Sequence, residues 1–201
     1  MLKLYDSRMS GNAWKVRLAL RHLDIPFERV TLDLARGESR TPDFLARNPN
    51  GKVPVLELDD GRSLFESGAI LLWLAEGTPL LPADRLDRAR VCQWLLWEQA
   101  EAVRNLAGPR FWIALRGMRR EKAVEIAAWH EAGNRALGIM DDHLVARDYF
   151  VGAGPTAADL ALFPYAYLAP QGEFDLSRYP NVAAWLERMR HLRGFEPLVP
   201  G

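Results

Sequence analysis

The hydrophobic pattern changes period repeatedly in the first third of the chain. Leu2-Lys3-Leu4-Tyr5 alternates apolar and polar, and the breakers Asp6, Ser7, Ser10 and Gly11 follow, which predicts a short strand and then a loop. Trp14, Val16, Leu18, Ala19, Leu20 and Leu23 recur at helical spacing. Pro26 ends that helix, and Phe27-Glu28-Arg29-Val30-Thr31-Leu32 alternates as a second strand. Strand, helix and strand in this order favour a parallel pair with a right-handed crossover. A polar stretch, 36–41, leads to Pro42-Asp43-Phe44-Leu45-Ala46, a short helix with Pro42 at its first position. Asn48-Pro49-Asn50-Gly51 is a turn cluster. It precedes a strand over 53–58, a hairpin turn at Asp59-Asp60-Gly61-Arg62 and the partner strand Ser63-Leu64-Phe65. Ser67 is placed to cap a helix running to about Ala75.

The order β-α-β-α-β-β-α is that of the thioredoxin fold. Gly77-Thr78-Pro79-Leu80-Leu81-Pro82 reads as a linker with two proline stops, and from Asp84 onward the pattern is helical. One long helix is expected from about Leu86 toward Arg116, kinked at Pro109, and another from Arg119 to His143. Pro155-Thr156-Ala157-Ala158-Asp159 opens an apolar helix, with Thr156 and Asp159 at capping-box spacing, and Pro180 starts a last helix over 182–192. The fold class is therefore α/β plus all-α. A thioredoxin-like domain is expected over 1–76, a linker over 77–84 and a helical-bundle domain over 85–201.

Composition narrows the function. With 49% hydrophobic and 26% charged residues the chain has an ordinary globular composition. Lys plus Arg and Asp plus Glu both number 26, and no block of like charge stands out, so nucleic acid is not an expected partner. The longest apolar run, Ala69 to Ala75, is too short to span a bilayer, and the N-terminus lacks the apolar core of a signal peptide. A lone cysteine, Cys92, excludes an intramolecular disulfide and any Cys-x-x-Cys pair, so a cytoplasmic location is expected. Cys92 lies in an apolar helical context, where a buried, inert thiol is the expectation.

Four strings carry a resemblance. Leu4-Tyr5 … Ser10-Gly11-Asn12 … Lys15-Val16-Arg17 resembles the first strand and helix of bacterial glutathione transferases. The stretches 48–56 and 64–70 are similar to that family's two central motifs, and Thr156-Ala157-Ala158-Asp159-Leu160 to its helical-domain capping motif. The matches are collinear and span nearly the whole chain. The resemblance implies glutathione as co-substrate, with no metal. It also implies a serine-type site in which a glutathione thiolate attacks a hydrophobic electrophile.

The residue chemistry suits that implication. Glutathione ends in a γ-glutamyl group with one ammonium and one carboxylate. Glu66 can pair with the ammonium. Ser67, at a helix start, offers a hydroxyl and a backbone N–H to the carboxylate. In the family Pro54 is cis, and the backbone of Val53 pairs with the cysteinyl part of glutathione like an added strand. Ser10, with Asn12 beside it, is the expected activating residue. A free thiol has a pKa of about 8.5, and a hydroxyl donor at a helix N-terminus stabilises the thiolate. Ser10 also has a purely structural reading as an N-cap, and Ser67 likewise. Tyr5 matches a tyrosine that is catalytic in some classes of the family and structural in the serine-type ones.

Where related sequences carry a histidine for the glycyl carboxylate, this one has Ser39 in Gly37-Glu38-Ser39-Arg40, so Arg40 or Lys52 is expected to supply the positive charge, Lys52 first because it precedes Val53 in the binding turn. The resemblance places the second-substrate pocket at Met9, Trp14, Arg110, Phe111 and Trp112. Trp94, Trp97, Trp129 and Trp185 are assigned to core or interface, and Asp159 to folding. The apolar helix around Ile70–Leu74, with Trp94 and Trp97 in the next, is more than one small core needs and predicts a homodimer. Other glutathione-dependent reactions (isomerase, dehalogenase, ether lyase, peroxide or disulfide reductase) use the same thiolate. A non-catalytic interaction domain on the same fold is a further alternative.

Overall fold

Four strands, β1 (Leu2–Asp6), β2 (Phe27–Thr31), β3 (Val55–Glu57) and β4 (Ser63–Phe65), form one mixed sheet in the order β2-β1-β3-β4 in the computed structural model, which describes residues 1–198. β1 and β2 are parallel, with Leu4 opposite Arg29, and the other two pairings are antiparallel. The crossover is α1 (Gly11–His22), and α2 (Pro42–Arg47) and α3 (Ser67–Ala75) complete the expected order. The fold is thioredoxin-like. Its core is made by Leu4, Val55 and Leu56 of the sheet with Val16, Leu20, Ile70 and Leu71 of the helices, all at most 1% exposed. At roughly 25 cal/mol per Å2, burial of such side chains is the main stabilising term. Pro42 stands at the first position of α2, and Thr41 caps it by accepting from Phe44 N at 3.3 Å.

The chain divides into Met1–Glu76 with everything from Leu192 onward, and Gly77–His191. This alters the expected helical domain over 85–201 at both ends. The segment expected as a linker over 77–84 belongs to the second unit: Leu80 and Leu81 are buried, and Ala157 N donates to Leu80 O at 2.8 Å. At the other end the chain returns to α1 of the first unit. Trp14 Nε1 donates to Glu196 O at 2.8 Å, and Arg17 pairs with the Glu196 carboxylate at 3.0 Å. Residues 199–201, included in that expectation, lie outside the described residues.

In the second unit, α4 (Arg85–Trp97) and α5 (Arg104–Arg110) form one helical run with two π-helical segments, Glu98–Val103 and Phe111–Leu115. The sequence pattern gives the run and Pro109 but not the π segments. Pro109 has no N–H to donate, and the wider turns follow within two residues of it. α6 spans Ala123–Leu144, four residues later than expected at its start, because residues 119–122 form turns. α5 meets α6 closely: a Cβ at Gly108 would lie 2.8 Å from the Trp129 ring, so a larger residue would push the helices apart. α7 (Ala157–Leu168) and α8 (Pro180–Arg190) follow. Phe150 makes edge contacts with Trp94 at 4.7 Å and Trp185 at 5.1 Å in the core.

The predicted capping box of α7 is present. Asp159, 0% exposed, accepts from Thr156 N at 2.8 Å, Thr156 Oγ1 at 2.9 Å, Phe150 N at 3.0 Å and Trp185 Nε1 at 3.0 Å. Burial pushes its carboxyl up to about 6, against the pull of these donors. Cys92 on α4 is half-buried rather than buried.

Candidate functional site

Sheet register brings three loops to one end of the first unit. Tyr5 pairs with Val55, and Val55 pairs with Phe65. The loop after β1, the turn before β3 and the junction between β4 and α3 therefore leave the sheet side by side. They carry Ser10 and Asn12, then Lys52, Val53 and Pro54, then Glu66 and Ser67. The helix starts at α1 and α3 lie at this end, and neither has an acidic residue in its first turn.

Ser10 is the N-cap of α1. Its Oγ accepts from Ala13 N at 3.1 Å, which leaves the hydroxyl proton to donate elsewhere. The serine is thus a cap and a potential donor at once. Asn12, on the first turn, has a buried Oδ1 with no hydrogen-bond partner among the described residues. Met9 is half-buried in the same loop.

The second segment is built by Asn48, which is 3% exposed. Its Oδ1 accepts from Asn50 N at 3.0 Å and its Nδ2 donates to Lys52 O at 2.7 Å, closing the turn that the breaker cluster in the sequence predicts. Gly51 has φ 60°, and a Cβ there would lie 2.6 Å from Arg40 Nη1, so only glycine fits. Arg40 donates to Asn50 O at 3.1 Å and so lies against this turn, while the exposed Lys52 side chain has no ion-pair or hydrogen-bond partner among the described residues. The Val53–Pro54 peptide is cis. Among the described residues neither the N–H nor the carbonyl of Val53 is hydrogen-bonded.

At the third segment the structure corrects the cap. Glu66, not Ser67, is the N-cap of α3, with φ 69° and no side-chain cap bond, and Ser67 is the first helical residue. A non-glycine residue in the left-handed region is uncommon, and such conformations cluster at ligand sites. The Glu66 carboxylate is exposed. Ser67 is 3% exposed, yet its hydroxyl makes no hydrogen bond among the described residues.

Tyr5 is turned to other work. Its hydroxyl donates to Glu57 Oε2 at 3.1 Å, its ring lies under Arg47 at 5.1 Å, and burial and then Glu57 raise its pKa. Both shifts oppose ionisation, so Tyr5 is a poor candidate for activating a thiol.

Two expected pocket residues belong elsewhere. Trp14 is 0% exposed, its ring 6.4 Å from Phe195 and its N–H bonded to Glu196 O, which leaves no face for a ligand. Arg110 is 4% exposed inside the second unit, donating to Gln171 Oε1 at 2.8 Å, and burial lowers its pKa. An arginine on a helix next to exposed aromatics reads as pocket lining only when its own burial is unknown. Phe111 and Trp112, also of the second unit, are accessible, at 4.9 Å and edge to face. Arg116 lies over the first ring and Lys122 over the second.

Sequence reasoning missed the charges under the Ser10 loop. Asp6, 0% exposed at the end of β1, accepts from Ser7 N at 2.5 Å and pairs with Arg29 at 2.7 Å and Arg17 at 3.0 Å. The available signal was an aspartate at a strand end with arginines on the next two elements, too common a pattern to single out. Among the described residues no group of three or more His, Cys, Asp or Glu is placed to hold a metal ion, and no helix is long and apolar enough to cross a membrane.

A thioredoxin-like sheet followed by a helical unit defines the class of two-part folds to which this chain conforms. The chain belongs to the glutathione S-transferase family: the model of that family's N-terminal domain matches residues 1–76, and the model of its C-terminal domain matches residues 123–188. Over 208 residues it is 35% identical to a maleylacetoacetate isomerase of Rhizobium meliloti, covering 98% of this chain and 95% of that protein. Over 197 residues it is 31% identical to the disulfide-bond oxidoreductase YfcG of Escherichia coli, covering 94% and 90%. Among solved structures, a glutathione S-transferase of Pseudomonas fluorescens superposes with TM-score 0.96 at 40% identity, covering 99% of each chain.

Proposed function

We propose that the protein is a glutathione-dependent transferase that adds the glutathione thiolate to a hydrophobic electrophile in the reducing cytoplasm. The observation that carries the reading is the meeting, at one sheet end, of groups left unused by the fold: the Ser10 hydroxyl proton, the Val53 main chain and the Ser67 hydroxyl. In this reading Glu66 takes the γ-glutamyl ammonium, and Ser67 with the α3 N-terminus takes its carboxylate. Val53 pairs with the cysteinyl backbone beside Pro54. Lys52 takes the glycyl carboxylate, with Arg40 behind it holding the turn. Ser10 donates to the sulfur, and the α1 N-terminus favours its negative charge. Asn12 orients the same loop.

The thiolate forms by loss of the thiol proton to solvent. It then bonds to the electrophilic carbon as that carbon's leaving group or π-electrons depart. Met9, half-buried in the Ser10 loop, is the apolar residue of the first unit assigned to the electrophile. Trp73 of α3 is 46% exposed and Leu96 of α4 is 73% exposed, which supports a homodimer.

A second reading keeps the thiolate and changes the outcome to isomerisation or disulfide reduction, and it draws on the isomerase and oxidoreductase relatives. Calorimetry with glutathione and turnover with a chloronitrobenzene electrophile test the first reading. Binding in wild type, with affinity kept and turnover reduced about tenfold or more in Ser10→Ala, is expected. Binding without any conjugation turnover would favour the second reading, and absence of glutathione binding would leave only an interaction domain.

A further inference from the structure

We infer that Glu196, in the tail that follows the last helix, is a positioning residue for the Ser10 loop. The inference rests on the reading of Ser10 given above. The tail holds α1 at three points. Glu196 O accepts from Trp14 Nε1 at 2.8 Å, one carboxylate oxygen pairs with Arg17 at 3.0 Å, and the other with Arg21 at 2.8 Å. Arg193 adds an ion pair to Asp24 beyond the helix end. Gly194 has φ 77°, and a Cβ there would lie 2.6 Å from Arg21 C, so the approach requires glycine.

From Glu196 an unbroken series of polar contacts runs to the activating residue. Arg17, 3% exposed, bridges Glu196 to Asp6. The Asp6 carboxylate receives Ser7 N at 2.5 Å, and Ser7 O in turn receives Ser10 N at 2.9 Å. On the other side Ser10 O accepts from Trp14 N at 3.0 Å, the residue whose indole the tail also holds. Both ends of the loop are therefore tied to Glu196, through Arg17 and Asp6 on one side and through Trp14 on the other. Buried ion pairs of this kind depend on all members being present, because a desolvated arginine that loses one carboxylate draws harder on the other. Without Glu196, Arg17 is left to Asp6, which already serves Arg29, and the Asp6–Ser7 contact that sets the loop is the one to give.

The test is the pKa of the glutathione thiol bound to the full chain, followed by thiolate ultraviolet absorption against pH, together with turnover and melting temperature. Glu196→Ala is expected to raise the bound thiol pKa by about 0.5–1 unit and to lower turnover near pH 6.5 by about threefold to tenfold, with the KM for glutathione changed less than about twofold. Glu196→Gln keeps an oxygen for Arg17 and should recover at least half of the shift. Gly194→Ala displaces the tail without changing charge and should reproduce it. A thiol pKa unmoved in Glu196→Ala and in Gly194→Ala, with only the melting temperature lowered, overturns the inference. Ser10→Ala, measured alongside, separates the two layers. If Ser10→Ala shifts the pKa and the tail variants do not, only the tail inference fails. If Ser10→Ala leaves it unmoved, the Ser10 reading fails and takes the tail inference with it.

Discussion

Two helix starts in this molecule use the same residue chemistry to opposite ends. At α7, Thr156 and Asp159 close a capping box in which one buried carboxylate collects four donors, so nothing is left over. At α1, Ser10 makes a single cap bond, the first turn has no carboxylate, and the hydroxyl proton and helix end remain unspent. α3 is more extreme: its cap residue makes no cap bond, and the Ser67 hydroxyl next to it has no hydrogen-bond partner among the described residues. A helix start saturated by its own chain is structural. In the proposed reading, one left unsaturated at a sheet end, beside an unpaired backbone, receives an anion.

The contrast is sharpened first at α7. Asp159→Ala should cost about 3–5 kcal/mol of stability, since it strands buried donors, and denaturant unfolding would read it. Surviving folded protein should bind glutathione as wild type does. A loss of binding with stability intact would make Asp159 part of the site and break the comparison.

The pH dependence of the same residue follows. The folded carboxyl titrates near 6 and the unfolded one near 3.8. The raised folded value means that its contribution is fully present below about 3.8 and is lost as pH rises through 6. The stability gap between wild type and Asp159→Ala should therefore narrow between about pH 4 and pH 7, by an amount on the order of 3 kcal/mol. A gap that widens over this range would show that the four donors outweigh burial.

At the unsaturated starts the effects should appear in binding instead. Glu66→Ala removes an exposed carboxylate with no hydrogen-bond or ion-pair partner among the described residues. It should weaken glutathione about tenfold to a hundredfold, the scale of one charge-assisted hydrogen bond, with the unfolding midpoint nearly unchanged. Ser67→Ala should weaken binding less, by about threefold to tenfold. Calorimetry with each variant decides, and an unchanged affinity in both would remove the γ-glutamyl assignment.

Much of the fold was legible because its signals are local. The alternation of Leu2–Tyr5 and Phe27–Leu32, the turn at Asp59–Arg62, and Pro42 at a helix start each declare an element within a few residues. The capping box declared itself at i, i+3. What escaped is non-local or geometric. Trp14 sits at helical spacing whether it lines a pocket or packs against a tail, and its partner Glu196 is 182 residues away. The π segments insert turns that a 3.6-residue period does not register. The cap of α3 moved from Ser67 to Glu66 because side-chain preference points to serine, while the chain uses a left-handed glutamate there. The γ-glutamyl and backbone residues were named from motif and chemistry together. That Arg40 lies against the turn, donating to Asn50 O, was not legible, because the contact joins two loops.

The central claim is that Ser10 at the unsaturated start of α1 lowers the pKa of a bound thiol. The most direct measurement is the ultraviolet titration of glutathione bound to wild type and to Ser10→Ala. The account predicts a bound thiol at least about one unit below its free value of about 8.5 in wild type, and a return of most of that shift in the variant. The same depressed value in both proteins would contradict it.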